Sequence, residues 1–462
     1  MLRLNPHHVF RHEGELHLID VERLTAHRLD DPAVARALAA LAADPRTPVA
    51  DRTLRKFAAL GLIPAPETPR AARRPEPAAI RNIALFVTQR CNLRCVYCYG
   101  DGGTYGAEGV MTLPTARRAV DWHLERSGAL ARLGILFFGG EPLLNVPLIR
   151  EVVDYARERG AARGKTYGFQ VTTNGTLLDD ETIAFFKEYR IRARVSFDGP
   201  REVQDAQRPF GNGAGSYDAI RPRLRALLDA LPDTPCRATL VGRNDPAAID
   251  DALREIGFAH RRVTPASPRL CDQVGDRAGD EPDLAHRLER AESDARALLA
   301  AIQRRDTEAL RRLRGAGVPL DLVERFINQE KRHVNCGAGK GMVAIGCSGD
   351  VYLCQRFVGE ADQKLGSIFS GGLDRERYLR DSVRDREACA TCPAKYLCGG
   401  GCYYQNLGAS GDLFVPPEDR CALMRRWAEL TAAICLRLDA DDRAYLVAAE
   451  IIEDRPCPID LF

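Results

Sequence analysis

The apolar and polar positions of the first 63 residues predict three strands followed by two helices. HHVFRHEGELHLIDV has the pattern of a hairpin that turns at Gly14, and RLTAHRLD after it predicts a third strand. Apolar residues at helical spacing follow in DPAVARALAALAA and DRTLRKFAALGLI, where Leu54, Phe57 and Leu60 fall near one face. We therefore expect a small structural unit over residues 1–65.

The next segment, residues 66–80, predicts a linker because it is rich in Pro, Ala and Arg and lacks apolar periodicity. From Asn82 onward, apolar runs of strand length alternate with helical patterns. The predicted strands are NIALFVT, ILFF, GFQVTT, RARVSF and RATLV, and the predicted helices are PTARRAVDWHLERSG, VPLIREVVDYARERG and DETIAFFKEY. Such repeated β–α units predict a parallel sheet over residues 81–270, open or barrel-like, whose functional groups converge after the strands' C-terminal ends.

The last part of the chain changes character twice. Residues 271–333 predict a helical bridge, because a stripe of apolar residues follows one helix face: Leu284, Leu288, Ala291, Ala295, Leu298 and Ile302. Residues 334–462 combine short strands, glycine-rich turns and many cysteines, which predicts a domain organised by bound metal.

Charge and composition narrow the classes of function. The 66 basic and 64 acidic residues leave a net charge of +2, so no global field suggests nucleic acid or a membrane surface as a partner. No apolar run reaches the ~18 residues of a transmembrane helix. The start, MLRLNPHHVFRHEGE, lacks the apolar core of a signal peptide. We therefore expect a cytoplasmic protein.

The 15 cysteines are concentrated in two places, with three at positions 91–98 and eight at positions 336–421. In a reducing compartment, such clusters are metal ligands more often than disulfides. The other four stand apart, and we expect no functional role for them: Cys236, Cys271, Cys435 and Cys457.

The first cluster has the spacing C-x3-C-x2-C and consists of Cys91, Cys95 and Cys98. Three thiolates on one loop can reach one metal centre, but ferredoxin cubanes take four ligands and zinc ribbons use paired C-x2-C knuckles. An iron–sulfur cubane with three protein thiolates keeps one iron open for a substrate or cofactor, which is a physical reason to stop at three. The alternative is a closed site that a distant residue completes.

This cysteine loop, with Tyr97 before its last cysteine and GGEP at a later strand end, resembles that of the radical S-adenosylmethionine (radical SAM) enzymes. The resemblance implies a partial (β/α)6 TIM-like barrel, in which the open iron chelates S-adenosylmethionine and its reductive cleavage gives a 5′-deoxyadenosyl radical. It also implies contacts with that cofactor: Tyr97 near the adenine, Gly139, Gly140, Glu141 and Pro142 at the amino group, Asn174, Ser196 and Asp198 at the ribose or methionine end, and Arg208 at the carboxylate.

The second cysteine field contains a C-x2-C-x5-C-x3-C run, for which structural zinc is an alternative on spacing alone. In context it resembles the SPASM domain of peptide-modifying radical SAM enzymes, which implies two auxiliary [4Fe–4S] clusters and three clusters in total. The implied ligands are Cys336, Cys354 and Cys402 for the first auxiliary cluster, and Cys389, Cys392, Cys398 and Cys421 for the second. Cys347 departs from the family pattern. It either closes the first auxiliary cluster or is a hairpin thiol beside an open iron.

Two further resemblances suggest a substrate. CATCPAKYLCGGGCYYQN and its neighbours resemble maturases that install thioether bonds in peptides, including the ranthipeptide enzymes and the maturase of the quinohaemoprotein amine dehydrogenase small subunit. The N-terminal unit resembles the small winged-helix-like element that captures leader peptides, in which an edge strand would accept an extended peptide. A capping domain without a ligand is the alternative.

The resulting hypothesis is a radical SAM maturase that takes a hydrogen from an acidic or other residue of a ribosomal peptide or small protein subunit, and joins that carbon to a cysteine sulfur. Its expected partners are a precursor with a leader segment and an electron donor such as flavodoxin or ferredoxin. The alternatives are Ser or Cys oxidation, a carbon–carbon crosslink and a non-catalytic zinc scaffold. No general base is assigned, although four residues are eligible: Asp205, Glu360, Tyr403 and Tyr404.

Overall fold

The computed structural model describes residues 4–64, 79–266 and 283–453. Its N-terminal unit contains strands β1 (His7–His12), β2 (Glu15–Asp20) and β3 (Thr25–Arg28), then helices α1 (Pro32–Ala43) and α2 (Asp51–Ala59). The three strands form an antiparallel sheet in chain order, so the predicted hairpin, third strand and two helices are confirmed. Cys271, Cys457 and most of the predicted linker lie outside the described residues.

A parallel α/β core follows, as predicted. Its strands are β4 (Asn82–Thr88), β5 (Arg132–Gly139), β6 (Thr166–Thr173), β7 (Ile191–Ser196), β8 (Cys236–Leu240) and β9 (Arg261–Pro265). Its helices are α3 (Leu113–Arg126), α4 (Val146–Ala161), α5 (Asp180–Glu188), α6 (Arg201–Gln207), α7 (Tyr217–Ala230) and α8 (Pro246–Ile256). The six strands pair in chain order and all in parallel.

The C-terminal part adds helices and extends the same sheet. The helices are α9 (Leu284–Gln303), α10 (Thr307–Gly315), α11 (Leu320–Ile327), α12 (Glu376–Arg380), α13 (Glu387–Ala390), α14 (Lys395–Cys398), α15 (Tyr403–Ser410), α16 (Glu418–Cys435) and α17 (Ala440–Ala448). The strands are β10 (Met342–Ile345), β11 (Asp350–Tyr352) and β12 (Lys364–Ser367). Because β10 pairs in parallel with β4, one sheet of nine strands joins the core to the cysteine-rich segment.

Local sequence explains where the core helices begin. The Thr112 hydroxyl accepts a hydrogen bond from the Thr115 amide at the start of α3, where Pro114 occupies the first turn. The Asp179 carboxylate caps α5 in the same way, accepting from the Thr182 amide at 2.8 Å. Each cap follows a loop that leaves the C-terminal edge of the sheet, so these loops are held at that edge.

The two faces of the parallel sheet have different surroundings. Alternate residues such as Leu85, Phe137 and Val195 are buried in a large core that includes apolar side chains of the surrounding helices. On the other face, Phe86 and Leu136 pack with Tyr105 in a smaller aromatic cluster. Tyr99, which follows the first cysteine motif, and Cys347 also pack against this second face, so cysteine-bearing segments lie near it.

The N-terminal unit has a core of its own and a second face that packs on the C-terminal helices. Leu18, Leu38 and Phe57 form the internal core, whereas Phe10 and Ile19 belong to the cluster that contains α16 residues. None of the helices in the three described ranges combines the length and the apolar character that a membrane span requires.

Candidate functional site

The first cysteine loop leaves the C-terminal end of β4 and carries Cys91, Cys95 and Cys98, all partly buried. Burial raises the pKa of the Cys91 thiol to about 11 and that of Cys95 to about 12, and the neighbouring cysteines raise both further. The thiols therefore lie close enough to act on one another electrostatically. A metal centre supplies the positive charge that favours their thiolate forms, so the donor set fits an iron–sulfur cluster.

The GGEP segment at the end of β5 lies directly against this loop. A Cβ atom at Gly139 would lie 1.9 Å from the Thr88 carbonyl oxygen, and one at Gly140 would lie 2.1 Å from that of Arg90. Gly139 also has φ 141°, which favours glycine. The two strand ends therefore touch only because neither position carries a side chain.

Glu141 joins this segment to the next strand end. Its fully buried carboxylate accepts hydrogen bonds from the Thr173 hydroxyl at 2.8 Å, the Asn174 amide at 2.7 Å and the Leu143 amide at 3.1 Å. Burial raises the pKa of Glu141 to about 7. Within the protein, Glu141 thus links the loops that follow β5 and β6.

Asn174 links the same region back to the cysteine loop. Its side-chain amide donates to the Asn92 side-chain oxygen at 2.9 Å and lies 3.8 Å from the Cys91 sulfur. Its own oxygen accepts from the Thr176 hydroxyl at 2.6 Å. The structure therefore brings Asn174, Glu141 and Cys91 into one contiguous network, as expected for loops at one sheet edge.

Tyr97, Asp198 and Arg208 form a buried triad on the other side of the loop. The Tyr97 hydroxyl donates to Asp198 Oδ2 at 2.6 Å, and Arg208 Nε donates to the same oxygen at 3.1 Å. The Arg208 guanidinium also lies 5.4 Å from the centre of the Tyr97 ring. Arg208 is thus paired with a carboxylate of the chain itself, while half-buried Ser196 lies nearby at the end of β7.

A second group of cysteines consists of Cys336, Cys354 and Cys402. Burial raises the pKa of both Cys336 and Cys354, and in each case Cys402 raises it further. The Arg356 guanidinium lies 5.3 Å from the ring centre of Tyr99 and 5.5 Å from that of Tyr404. Because Tyr99 follows Cys98 in the chain, this aromatic contact connects the second group to the first cysteine loop.

A third group consists of Cys389, Cys392, Cys398 and Cys421. Burial raises the pKa of Cys389 and of Cys421 to about 11, and the other cysteines of the group raise both. The short helices α13 and α14 and the start of α16 position these thiols. The structure therefore brings together the four cysteines that the family resemblance implies for the second auxiliary cluster, with Cys421 in place of the Cys402 of the C-x2-C-x5-C-x3-C run.

Cys347 is placed against β4. Its thiol donates to the Phe86 carbonyl oxygen at 3.1 Å, and its amide donates to the Gln89 side-chain oxygen at 3.3 Å. A Cβ atom at Gly109 would lie 3.2 Å from the Cβ of Cys347. These contacts belong to the wall beside the first cysteine loop.

Two of the eligible general bases make structural contacts. The Tyr403 hydroxyl donates to Asp381 Oδ2 at 2.6 Å, and Asp205 Oδ1 accepts from the Tyr217 amide at 2.7 Å.

Tyr99, Tyr105 and Arg356 were absent from the sequence-based set of site residues. Their positions within or just after the cysteine motifs were the available signal.

Within the described ranges, no three His, Cys, Asp or Glu side chains are grouped so that they could hold a single metal ion. A [4Fe–4S] cluster differs from a single ion, because each of its thiolate ligands binds a separate iron atom.

Comparisons with known proteins show which family the sequence matches. Residues 85–256 match the model of the radical SAM superfamily. The serine-type anaerobic sulfatase-maturating enzyme of Bacteroides thetaiotaomicron is 33% identical over 350 residues, which cover 70% of this chain and 82% of that protein. The subtilosin biosynthesis protein AlbA of Bacillus subtilis is 24% identical over 70% of this chain and 67% of that protein.

Other relatives match over shorter lengths. The chain spans 45% of an uncharacterized protein of Methanocaldococcus jannaschii, at 36% identity over 30% of this chain, and 40% of the Fe-coproporphyrin III synthase of Methanosarcina barkeri, at 33% identity over 37% of this chain. Among solved structures, native anSMEcpe with bound AdoMet and Cp18Cys peptide superposes with a TM-score of 0.61 at 17% identity. That match covers 80% of this chain and 99% of the solved chain, and it supports the α/β fold with its mostly parallel sheet.

Proposed function

This chain belongs to the radical SAM superfamily, and from that membership we propose that it is a peptide maturase that forms thioether crosslinks. Members of the superfamily bind S-adenosylmethionine and a [4Fe–4S] cluster. The observation that carries the proposal is the sorting of ten cysteines into groups of three, three and four, with the first group beside Gly139 and Gly140. A peptide substrate is supported by the relatives, since AlbA takes part in subtilosin biosynthesis.

We assign a cluster to each cysteine group, so that two auxiliary clusters accompany the one on the first loop. When bound, S-adenosylmethionine and the clusters would supply a 5′-deoxyadenosyl radical for hydrogen abstraction and an acceptor for one further electron. The close approach of the Cys91 loop to Gly140 would hold the cofactor against backbone. Tyr97, Asp198 and Arg208 would form its buried wall and exclude water.

The overall reaction removes two hydrogens from the peptide. The S–H bond of a cysteine and a C–H bond of another residue break, and one C–S bond forms. One hydrogen atom leaves with the 5′-deoxyadenosyl group, and the other leaves as a proton and an electron. An external reductant, of the flavodoxin or ferredoxin class, supplies the electron that cleaves S-adenosylmethionine. The N-terminal β1–β3 unit would bind the leader segment of the precursor through an edge strand.

The test uses anaerobically prepared enzyme with dithionite, S-adenosylmethionine and the precursor peptide. We expect 5′-deoxyadenosine, and a peptide that is two daltons lighter and has lost one thiol reactive to iodoacetamide. Cys91→Ala should abolish 5′-deoxyadenosine formation, whereas Cys435→Ala, at the buried C-terminal end of α16, should retain it. A wild-type enzyme that forms no 5′-deoxyadenosine would refute the superfamily activity.

A second candidate is oxidation of a Ser or Cys side chain, which the 33% identity to a sulfatase-maturating enzyme favours. Serine oxidation to an aldehyde also removes two hydrogens, so mass alone does not separate it from a thioether. Hydroxylamine does, because it reacts with the aldehyde and leaves a thioether unchanged. A product that gains an oxime would replace the thioether proposal with this one. The thiol is kept if a serine was oxidised, and it is lost if a cysteine was oxidised, since its sulfur then leaves and water supplies the carbonyl oxygen.

A further inference from the structure

Three neighbouring strands each bring an arginine to the face of the sheet that the core helices do not cover. On β7, β8 and β9, the residues Ala193, Ala238 and Val263 are buried in the core that contains the helices. Because side chains alternate along a strand, the intervening arginines face the opposite side. We call the following set the arginine wall: Arg194, Arg237 and Arg262.

The register of the sheet places these residues together. Arg237 pairs directly with Arg262 across β8 and β9, and Arg237 is also the partner of Ser196 on β7. Arg194 lies two residues before Ser196, on the same face. Directly paired strand residues lie about 5 Å apart at Cα, so three long cationic side chains share one small area.

This arrangement brings like charges together. Like charges directly opposite one another destabilise a sheet pair, although water reaches the exposed Arg237 and Arg262 side chains and screens part of the repulsion. The protein atoms packed around Arg237, together with the neighbouring arginines, lower its pKa to about 10. Burial also lowers the pKa of Arg194. Among the residues that the structure describes, no Asp or Glu forms a salt bridge with the arginine wall.

The surroundings show what the wall faces. The electrostatic neighbours of Arg237 include Arg356 and Tyr99, which stack near the junction of the first and second cysteine groups. The Tyr99 ring in turn lies 6.0 Å from that of Tyr105, which packs on Phe86 at a ring-centre separation of 4.9 Å. The arginine wall therefore lies beside an aromatic, apolar cluster and close to both cysteine groups.

We propose that the arginine wall binds acidic side chains of the peptide to be modified. Guanidinium groups bind carboxylates through paired, charge-assisted hydrogen bonds, and such a partner would relieve the repulsion among the three arginines. This inference rests on the proposed peptide-maturase function and adds a substrate class to it, namely a peptide with Asp or Glu at the segment that enters the barrel.

A second source of the same chemistry is the carboxylate of S-adenosylmethionine. Three guanidinium groups exceed what one carboxylate requires, and Tyr97, Asp198 and Arg208 already mark the cofactor's expected position by the cysteine loop. A peptide segment with more than one acidic residue matches the charge of the wall better. The experiment separates the two sources.

The test measures the affinity of anaerobically reconstituted, full-length enzyme for two fluorescein-labelled synthetic peptides. Both contain one cysteine in a Gly/Ser background, and one carries three glutamates where the other carries three glutamines. We expect the glutamate peptide to bind at least tenfold more tightly. We expect Arg237→Gln and Arg262→Gln to remove most of that preference, and Arg237→Lys to restore part of it. Arg225→Gln, at an exposed position of α7, should retain the full preference.

S-adenosylmethionine affinity is measured for the same variants by equilibrium dialysis, and iron content verifies that each has folded and loaded its clusters. Equal affinity of wild-type enzyme for the two peptides would overturn the inference. A loss of S-adenosylmethionine affinity in Arg237→Gln as large as the loss of peptide affinity would overturn it too. If wild-type enzyme forms 5′-deoxyadenosine but shows no preference, only this inference fails. Absence of 5′-deoxyadenosine in wild type refutes the proposed function instead.

Discussion

At the scale of single residues, the contact between the cysteine loop and the GGEP segment depends on glycines, which have no side chain. A Cβ atom at Gly103 would lie 2.6 Å from the Cβ of Cys91 and 2.8 Å from the Cα of Gly140. Gly103 also has φ 99°, in the region that favours glycine. Larger residues at Gly103 or Gly140 would push the loop away from the strand end and spread the three thiols.

Buried His123 gives a prediction at this scale because its environment fixes one protonation state. Its Nε2 lies 3.1 Å from the Ile80 carbonyl oxygen and donates to it, so Nδ1 accepts from the Tyr167 hydroxyl at 3.3 Å. Burial lowers the pKa of His123 to about 4. Between pH 4 and about 6.5 the unfolded chain therefore binds more protons at this site than the folded protein does.

The stability that neutral His123 contributes is complete above pH 6.5 and is lost as the pH falls from there towards 4. We expect the wild-type protein to lose about 2 kcal/mol from this residue between pH 7.5 and pH 5. His123→Gln should lack this pH-dependent loss. The difference in free energy of unfolding between wild type and His123→Gln, measured by chemical unfolding, should therefore be smaller at pH 5 than at pH 7.5. His260→Gln, at an exposed position, serves as the control. Parallel pH profiles for wild type and His123→Gln would contradict the prediction.

At the scale of elements, short-range patterns were sufficient for the strands and helices of the core. RARVSF and RATLV were predicted as strands and are β7 and β8. The pairing of β10 with β4 was not predictable in this way, because Met342 meets Asn82 across 260 positions of the chain. Such a pairing depends on tertiary packing, which no local period in the sequence reports.

The features of the candidate site also differ in how far local sequence predicts them. Spacing alone grouped only the cysteines of the first loop. The division of the other cysteines came from the family resemblance, since spacing would join Cys402 to the run that contains Cys398. The arginine wall was missed, although the alternation in RARVSF places Arg194 opposite the core-facing Ala193 and Val195. The partners of Glu22 were also missed, because they lie more than 360 positions away in the chain.

Glu22 gives the prediction at this scale, because it joins the N-terminal unit to the third cysteine group. Its carboxylate accepts from Lys395 Nζ at 2.8 Å and from the Tyr396 hydroxyl at 2.8 Å, and the Lys395 side chain is 4% exposed. Both partners lie between Cys392 and Cys398. Glu22→Gln would leave the buried ammonium of Lys395 without its carboxylate, which should lower the free energy of unfolding by about 2 kcal/mol.

We expect Glu22→Gln to loosen the N-terminal unit selectively, since the cost falls on its contact with α14. Hydrogen exchange should quicken in β1–β3 and in residues 392–398, while the core strands β4–β7 keep their protection. Glu15→Gln removes a carboxylate that pairs with Arg28 within the unit itself, and it should leave residues 392–398 unchanged. Uniformly faster exchange throughout the chain would show that Glu22 supports global stability instead.

At the scale of the whole molecule, the continuous sheet fixes where the first two cysteine groups lie relative to each other. β4 leads into the Cys91 loop, and its parallel neighbour β10 leads through a hairpin to Cys354. Ala344 and Ile345 align with Ala84 and Leu85, so a shift of either loop would disturb the pairing. The two groups are therefore held relative to each other by one continuous, hydrogen-bonded sheet.

We predict that the three cysteine groups load iron independently, because no cysteine belongs to two groups, although Cys398 and Cys402 lie on one short segment. We expect about twelve irons per chain in the anaerobically reconstituted wild-type protein, from three [4Fe–4S] clusters. Cys95→Ala, Cys354→Ala and Cys392→Ala should each lose about four irons, and paired substitutions about eight. Cys347→Ala should lose none, because the Cys347 thiol donates to the Phe86 carbonyl oxygen in the wall of β4. Loss of about four irons in Cys347→Ala would instead make it the fourth ligand of the Cys336 group.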